Sequence, residues 1–258
     1  MTNLVTKETT LSLKQGEVYV KEWLPSETTS NEPLFLLHDS LGCTALWKDF
    51  PHRLATQLKK RVIAYDRLGF GHSSQLYDLP SLNFIEQEAT EVFPQIKQML
   101  GVEHYGVLGH SVGGGMACMV AANDNDCQNL ITIAAQAYVE QRTLEGILSA
   151  KEFFAEQKQV ERLAKWHGDK ALWVLSAWID VWTSPDFADF SLKETLPNVT
   201  CPTLVIHGES DEYGSVAFPD FIAQHVSGVV TKEVLLNCAH MPQKEQPEKV
   251  ISLISDFY

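Results

Sequence analysis

Three things are scarce in this chain: paired cysteine motifs, positive charge and long apolar runs. Its 258 residues contain five scattered cysteines, and none of them has the C-x-x-C spacing of a zinc site. The formal net charge of −13 argues against nucleic acid or an anionic membrane as a partner. No apolar run approaches the roughly 20 residues that cross a bilayer. The sequence therefore predicts no metal site, no nucleic-acid partner and no membrane span.

The rest of the composition is typical of a soluble globular protein. Hydrophobic residues make up 45% of the chain and charged residues 21%. The length suffices for one large α/β domain with a substantial core. The polar start at 1–7 lacks the apolar core of a signal peptide. Together with the scattered, odd-numbered cysteines, this start predicts reduced thiols and a cytoplasmic location.

The most informative stretch is 105–113, where an apolar strand runs directly into Gly109-His110-Ser111-Val112-Gly113. The small residues that follow predict a buried helix, so the G-x-S-x-G pattern stands in the strand–turn–helix setting of a nucleophile elbow. A serine at the tip of such a turn exposes its hydroxyl, while the glycines let strand and helix approach closely. The alternative is a glycine-rich turn whose serine only caps a helix. We predict that Ser111 is a nucleophile.

Short apolar strands alternate with helical stretches along most of the chain. This alternation predicts a mostly parallel central sheet with helices on both faces, which binds ligands at the carboxyl ends of its strands. The predicted strands are an opening hairpin at 10–14 and 17–23, then 34–37, 61–65, the strand before Ser111, 130–134, 203–207 and 231–236. The predicted helices lie near 45–59, 83–100, 217–226 and 246–258.

Residues 138–195 interrupt the alternation. The stretch contains four of the six tryptophans of the chain, has helix-forming sequence such as 144–166, and shows no evident strand. It predicts a helical cap inserted into a core made of 1–137 and 196–258. The tryptophans of the cap contact a ligand in one interpretation and only join cap to core in the other.

A serine hydroxyl is a weak nucleophile and needs a base, which a third group orients. In hydrolases with this elbow, the acid and then the histidine follow the serine along the chain. Asp211 lies just after a predicted strand, with Glu209 and Glu212 as competitors. His240, the last histidine, lies in the loop before the C-terminal helix. We predict Ser111, Asp211 and His240 as the catalytic residues.

Stabilisation of an oxyanion requires two amide donors, one after the nucleophile and one from an earlier strand-end loop. Val112 supplies the first donor by position. The loop at 38–42 supplies the second, for which we predict the Ser40 amide with Leu41 as a rival. His38 precedes the serine in the chain, and we expect it to order this loop rather than act as a base.

Five motifs occur together. They are H-x-x-x-G at 38–42, D-x-x-G-x-G-x-S at 66–73, the elbow at 109–113, G-x-x-D at 208–211, and His240 ahead of Gln246-Pro247-Glu248. With these motifs the chain resembles an α/β-hydrolase-fold enzyme over nearly its whole length. The resemblance implies a helical cap before the acid strand and acyl transfer to water without a cofactor or metal. One departure is Asp39, where that family usually has glycine.

The leading prediction is a serine carboxylesterase that cleaves an ester through an acyl-enzyme intermediate. Relatives that dehalogenate or open epoxides have an aspartate at the elbow, so Ser111 argues against both reactions. A narrower prediction is a pimeloyl-acyl-carrier-protein methyl ester esterase of biotin synthesis. Its acidic partner would need a basic patch, for which the candidates are Lys151, Lys158, Arg162, Lys165 and Lys170.

Two further hypotheses for the function remain open from the sequence. A C–C bond hydrolase acting on ring-cleavage products uses the same three residues. A non-catalytic ligand-binding member of the fold would keep the pocket without turnover. The intact set of serine, acid and histidine disfavours the second of these readings.

Overall fold

The structure is a computed structural model that describes residues 4–258. Residues 1–3, part of the polar start and of the predicted core, lie outside the described residues. The described residues contain eight strands in one sheet, in the order β1-β2-β4-β3-β5-β6-β7-β8. They are β1 (Leu4–Leu13), β2 (Gly16–Pro25), β3 (Leu34–Leu37), β4 (Val62–Tyr65), β5 (Tyr105–His110), β6 (Cys127–Ile133), β7 (Thr203–Gly208) and β8 (Val230–Leu235).

Within residues 4–258, ten α-helices cover this sheet or follow its strands. They are α1 (Phe50–Leu58), α2 (Phe84–Gln87), α3 (Phe93–Met99), α4 (Val112–Asn123), α5 (Gln141–Phe153), α6 (Gln157–His167), α7 (Ala171–Trp182), α8 (Ala217–His225), α9 (Pro242–Glu245) and α10 (Pro247–Phe257). No helix within residues 4–258 is both long and apolar enough to cross a membrane. The mostly parallel sheet with flanking helices confirms the predicted fold class.

The interior of the sheet is parallel and its first edge is antiparallel. β1 pairs with β2 and β2 with β4 in antiparallel fashion, and the other five pairs are parallel. Every position of β3, β4, β5 and β7 is buried. Such uninterrupted apolar strands form where helices cover both faces of a sheet, and two apolar clusters lie against its two faces here. The carboxyl ends of β3, β5, β6 and β7 consequently meet at one edge.

The predicted strands are all present, and three of the predicted helical stretches are interrupted. The helix predicted at 45–59 starts as a 3-10 turn at Thr44–Trp47 and continues as α1 only from Phe50, because the positive φ of Lys48 (57°) breaks the helical path. The helix predicted at 83–100 is divided by a π-helical turn at Glu88–Val92 between α2 and α3. Pro94 explains the division, because it has no N–H to donate and its ring crowds the carbonyl one turn earlier. The helix-forming stretch at 144–166 is also divided, since α5 ends at Phe153 and α6 begins at Gln157.

Residues 138–195 form a unit between β6 and β7 that contains α5, α6 and α7; we call it the helical segment. Its two ends pair with each other. The Val139 N–H donates to the Phe190 carbonyl (3.2 Å), and the Leu192 N–H donates to the Ala137 carbonyl (2.8 Å). A β-bridge joins Tyr138 to Ser191. The chain thus leaves β6 and returns toward β7 at neighbouring points, and both the cap and its boundaries stay predictions.

All five cysteines are buried, and none is bonded to another. They are Cys43, Cys118, Cys127, Cys201 and Cys238. Burial raises the pKa of the Cys43 and Cys118 thiols to about 12, so both stay protonated at neutral pH.

Candidate active site

Ser111 occupies a strained turn between β5 and α4. Its backbone has φ 57° and ψ −124°, a conformation that side chains larger than glycine rarely adopt. The neighbouring glycines leave room for the turn. A Cβ on Gly113 would lie 2.3 Å from the Leu37 carbonyl oxygen, and one on Gly109 would lie 2.0 Å from the Gly113 carbonyl oxygen. The two glycines therefore let the elbow pack directly against β3 and its own helix.

The structure brings Ser111, His240 and Asp211 into one hydrogen-bonded line. The Ser111 hydroxyl lies 2.9 Å from Nε2 of His240 and can donate to it. Nδ1 of His240 lies 2.9 Å from both carboxylate oxygens of Asp211. All three side chains are buried. This line is the arrangement in which a histidine can take a proton from a serine while a carboxylate holds the other ring nitrogen.

The two competing acids face backbone amides instead of the imidazole. Glu212 accepts from the main-chain N–H of His240 at 3.3 Å, and Glu209 accepts from that of Asn237 at 3.4 Å. Asp211 is fully buried, and the N–H groups of Tyr213 and Gly214 also donate to its carboxylate. Of the three acids, the structure places Asp211 against the ring.

The pKa values of this line are shifted in opposite directions. Burial by itself lowers the pKa of His240, but the hydrogen bond and charge of Asp211 outweigh it and leave the pKa above its ordinary 6.5. Burial by itself raises the pKa of Asp211, but its contacts with His240 outweigh it and leave the pKa below 3.8. At neutral pH, Asp211 is therefore ionised, and its charge favours the imidazolium form of His240.

Two groups that hold the site in place were not found from the sequence. The His110 ring donates from Nε2 to the His240 carbonyl at 2.8 Å, so the second residue of the elbow holds the loop of the base. Oε1 of Gln136 lies 3.5 Å from the Ser111 hydroxyl oxygen. The one available signal for Gln136 was its position shortly after the carboxyl end of β6, the edge where ligands bind in such sheets.

The two predicted oxyanion donors lie near the nucleophile. Val112 begins α4 directly after Ser111, and Ser40 lines the same cavity as Ser111. Within residues 4–258, neither amide has a hydrogen-bond acceptor. His38 orders the loop as expected: its Nε2 accepts from the Arg67 N–H (3.1 Å), so its Nδ1 carries the proton and donates to the Asp39 carbonyl (2.8 Å).

A cavity of about 920 Å³ opens over Ser111 and His240. Its apolar wall comes largely from the helical segment, and its aromatic residues there are Phe153, Phe154, Trp166 and Trp178. Trp178 and Trp182 share one face of α7, because both line a separate small cavity beside Ser40 and Val112. Only Trp178 of these two reaches the large cavity, so Trp182 serves packing.

Of the five basic residues predicted as candidates for a patch, four are exposed, namely Lys151, Lys158, Arg162 and Lys165. Lys170 differs, because its ammonium donates to the backbone carbonyls of Phe70 (3.2 Å), Gly71 (2.7 Å) and Ser73 (2.5 Å). Lys170 thus ties the helical segment to the loop at 66–74, and it does not belong to a surface patch.

Comparison with known proteins identifies the fold. Residues 32–247 match the family model described as alpha/beta hydrolase fold. Serine hydrolase BPHL of Homo sapiens is 30% identical over 189 residues, which cover 70% of this chain and 64% of that protein. The matched part of the chain thus spans less than two thirds of that relative.

Two further relatives match over most of their length. A proline iminopeptidase of Heyndrickxia coagulans is 26% identical over 284 residues, covering 90% of this chain and 92% of that protein. The 3-oxoadipate enol-lactonase 1 of Acinetobacter baylyi is 24% identical over 246 residues, covering 88% and 89%. The crystal structure of a bacterial membrane phospholipase A shares the fold, with a TM-score of 0.77 and 20% identity over 98% of this chain and 85% of that one.

Proposed function

Because the chain belongs to the α/β-hydrolase fold family, we propose that it is a serine hydrolase that cleaves a carboxylic ester through an acyl-enzyme intermediate. One observation carries the proposal: the Ser111 hydroxyl, the His240 ring and the Asp211 carboxylate stand in one hydrogen-bonded line beneath an open cavity. We assign Ser111 as nucleophile, His240 as general base and acid, and Asp211 as the group that orients the imidazole.

In the first half of the reaction, Ser111 Oγ attacks the ester carbonyl carbon and its proton passes to Nε2 of His240. Asp211 stabilises the imidazolium that forms and fixes its orientation. The carbonyl oxygen becomes an oxyanion, to which we expect the Val112 and Ser40 amides to donate. The C–O bond to the alcohol then breaks, and His240 returns its proton to the departing oxygen. The products of this half are a free alcohol and an acyl group on Ser111.

In the second half, water replaces the alcohol. His240 takes a proton from the water, whose oxygen attacks the acyl carbon and again forms an oxyanion. Collapse of this intermediate breaks the bond to Ser111 Oγ, and the proton on His240 returns to that oxygen. The enzyme is restored and the carboxylic acid leaves through the cavity.

The helical segment completes the proposal as a cap that selects the acyl group. It supplies four aromatic residues and two aliphatic ones to the apolar wall, whereas the reacting groups lie on loops of the sheet. A cavity of about 920 Å³ is larger than a short acyl chain needs. We therefore expect medium-length or branched acyl esters to be better substrates than acetate esters.

A panel of nitrophenyl esters from two to twelve acyl carbons tests this function. The panel includes a proline anilide, an acyl-carrier-protein-bound methyl ester and a ring-cleavage dienone, which represent the peptidase, carrier-protein and C–C hydrolase alternatives. We expect the highest kcat/KM on an ester. A higher kcat/KM on the anilide or the dienone would reassign the reaction, and a chain that binds esters without turnover or labelling by a fluorophosphonate would be a binding protein.

A further inference from the structure

The peptide bond between Asp39 and Ser40 is held at its carbonyl by three donors. The Asp39 carbonyl oxygen accepts from Nη2 of Arg67 (2.9 Å), Nδ1 of His38 (2.8 Å) and the Gly42 N–H (3.2 Å). No peptide bond within residues 4–258 is cis, so this carbonyl and the Ser40 N–H point in opposite directions. Fixing the carbonyl oxygen therefore fixes the direction of the Ser40 N–H.

Ser40, at the other end of this peptide, lies on the side of the loop that borders the nucleophile. Ser40 lines the large cavity with Ser111 and His240, and it also lines the small cavity with Val112. Within residues 4–258, its N–H has no acceptor. A buried amide without an acceptor costs free energy unless a ligand meets it. The Ser40 amide is therefore a donor prepared for a substrate atom.

Arg67 is an unusual residue to find at the other end of the peptide. It is 5% exposed, and burying an isolated guanidinium is unfavourable. Burial lowers its pKa, while the charge of the equally buried Glu88 opposes that change. Glu88 in turn accepts a hydrogen bond of 2.6 Å from the Tyr65 hydroxyl. The buried guanidinium of Arg67 thus donates to the backbone carbonyl of Asp39.

We propose that Arg67 is a positioning residue for catalysis, which aims and polarises the Asp39–Ser40 peptide so that the Ser40 N–H stabilises the oxyanion. A cationic donor on the carbonyl oxygen draws electron density from the peptide and strengthens the N–H at its far end. Arg67 itself touches no reacting atom. The inference rests on the proposed function, since it needs an oxyanion to form, and it selects Ser40 over its rival Leu41.

The test compares Arg67→Met and Arg67→Lys with the wild-type enzyme and with a matched control, Lys170→Met. Lys170 also donates to loop carbonyls from a cation, but it does not contact the Asp39–Ser40 peptide. For each variant, kcat and KM are measured on the best ester, with active sites counted by fluorophosphonate titration. The affinity for a trifluoromethyl ketone, which forms an oxyanion adduct with serine, is measured as well.

We expect Arg67→Met to lower kcat by about 10- to 100-fold, because a misdirected oxyanion donor loses part of the 10²- to 10³-fold effect of a deleted one. The affinity for the ketone should fall by a similar factor while KM changes by less than about threefold. Arg67→Lys should lose less, since an ammonium keeps the charge without the planar fork. Lys170→Met should keep the wild-type kcat and ketone affinity per titrated site, even if the variant is less stable to unfolding.

The outcomes separate this inference from the function on which it rests. If the wild-type enzyme neither hydrolyses esters nor reacts with the fluorophosphonate, the proposed function fails and this inference falls with it. If the wild-type enzyme is active and both Arg67 variants keep its kcat and ketone affinity per titrated site, only the role of Arg67 is wrong. Should Arg67→Met not fold, Arg67→Lys decides the question alone, and unchanged ketone affinity in it rejects the inference.

Discussion

The sheet and the helical segment contribute to the same cavity in different ways. Ser111, Asp211 and His240 lie on loops that follow strands, and hydrogen bonds fix their side chains at 2.9 Å from one another. Trp166 and Trp178 lie on helices of the helical segment and meet their neighbours through ring contacts instead. Trp178, for example, packs edge-on against Tyr213 at 5.7 Å. Directional bonds hold the groups that react, and non-directional packing forms the wall that surrounds the substrate.

Polar contacts join the two regions at several places, and one of these places lies beside the loop at 38–42. Nδ1 of His167, at the end of α6, accepts from the Gly71 N–H (3.0 Å), and its Nε2 donates to the Leu41 carbonyl (3.1 Å). Lys170 donates to carbonyls of the same loop. These contacts fix the helical segment beside the loop at 38–42. At the start of α5 the segment is also fixed to the loop after β7, where Ser215 donates to the Glu140 carboxylate and the Thr143 hydroxyl donates to the Tyr213 carbonyl. The difference predicts that changes in the sheet loops abolish chemistry, and that changes in the helical segment alter selectivity.

The largest effect is expected at the nucleophile. Ser111→Ala should lower kcat by about 10⁶-fold, leaving only the catalysis that the oxyanion donors and binding provide. The measurement is ester hydrolysis with folding checked by circular dichroism. A fluorophosphonate should label the wild-type serine and leave the variant unlabelled. Labelling that persists in the variant would place the nucleophile elsewhere.

Asp211→Asn should lower kcat by about 10⁴-fold, because the imidazole would lose its anionic partner and its productive tautomer. The fold should persist, since the amide oxygen can still accept from Tyr213 and Gly214. Glu209→Gln and Glu212→Gln are the matched controls, and both should keep kcat within a few-fold. A larger loss in either control than in Asp211→Asn would reassign the acid.

In the pH profile of kcat/KM, activity should fall toward acid pH along a limb whose midpoint lies above 6.5, the ordinary pKa of histidine. His240 must be neutral to accept the serine proton, and its raised pKa means that acid protonates it earlier than a free histidine. Each pH unit below the limb should cost about tenfold. Neutralising Asp211 should move the residual limb to lower pH, because the hydrogen bond and the charge that most raise the pKa of His240 are then lost. A limb that does not move would show that Asp211 does not set this pKa.

Trp166→Leu tests whether the helical segment sets the selectivity for the acyl group. We expect a change of about tenfold in the kcat/KM ratio between long and short acyl esters, the scale of a lost apolar contact in a substrate pocket. The rate of Ser111 labelling by a small fluorophosphonate should stay near the wild-type value. Trp182→Phe, a change on the packing face of α7, should lower stability without altering that ratio. If Trp182→Phe shifts the ratio and Trp166→Leu does not, the wall lies elsewhere.

The smallest effect is expected where the two regions meet at the surface. Nζ of Lys48, on the sheet side, lies 3.8 Å from the centre of the Trp166 ring. An exposed contact of this kind contributes about 0.5–1 kcal/mol, so Lys48→Met should lower the free energy of unfolding in urea by no more than that. The effect should vanish in a Trp166→Leu background. Equal losses in both backgrounds would mean that the pair contributes nothing.

The fold and the hydrogen-bonded line were predictable, because each depends on local pattern. The elbow needs glycines at 109 and 113 for steric reasons that any sequence must meet, and Asp211 and His240 occur where strands end. Gln136 and His110 were missed, because their contacts depend on how separate strands align in three dimensions. The surroundings of Trp182 were unpredictable for the same reason. It shares a helix face with Trp178, but its ring packs against Phe187 and Phe190 and does not line the large cavity.

The order of the strands has a consequence for how the molecule acquires activity during folding. Ser111 and His240 are 129 residues apart in sequence, and the whole helical segment lies between them. Closing so long a loop costs entropy that the contacts of β7 and β8 with the sheet must recover. A refolding chain can therefore build β3 to β6 and the elbow while remaining inert. During refolding, ester hydrolysis should recover later than the circular-dichroism signal of the sheet. The delay between the two signals would measure when β7 and β8 join the sheet.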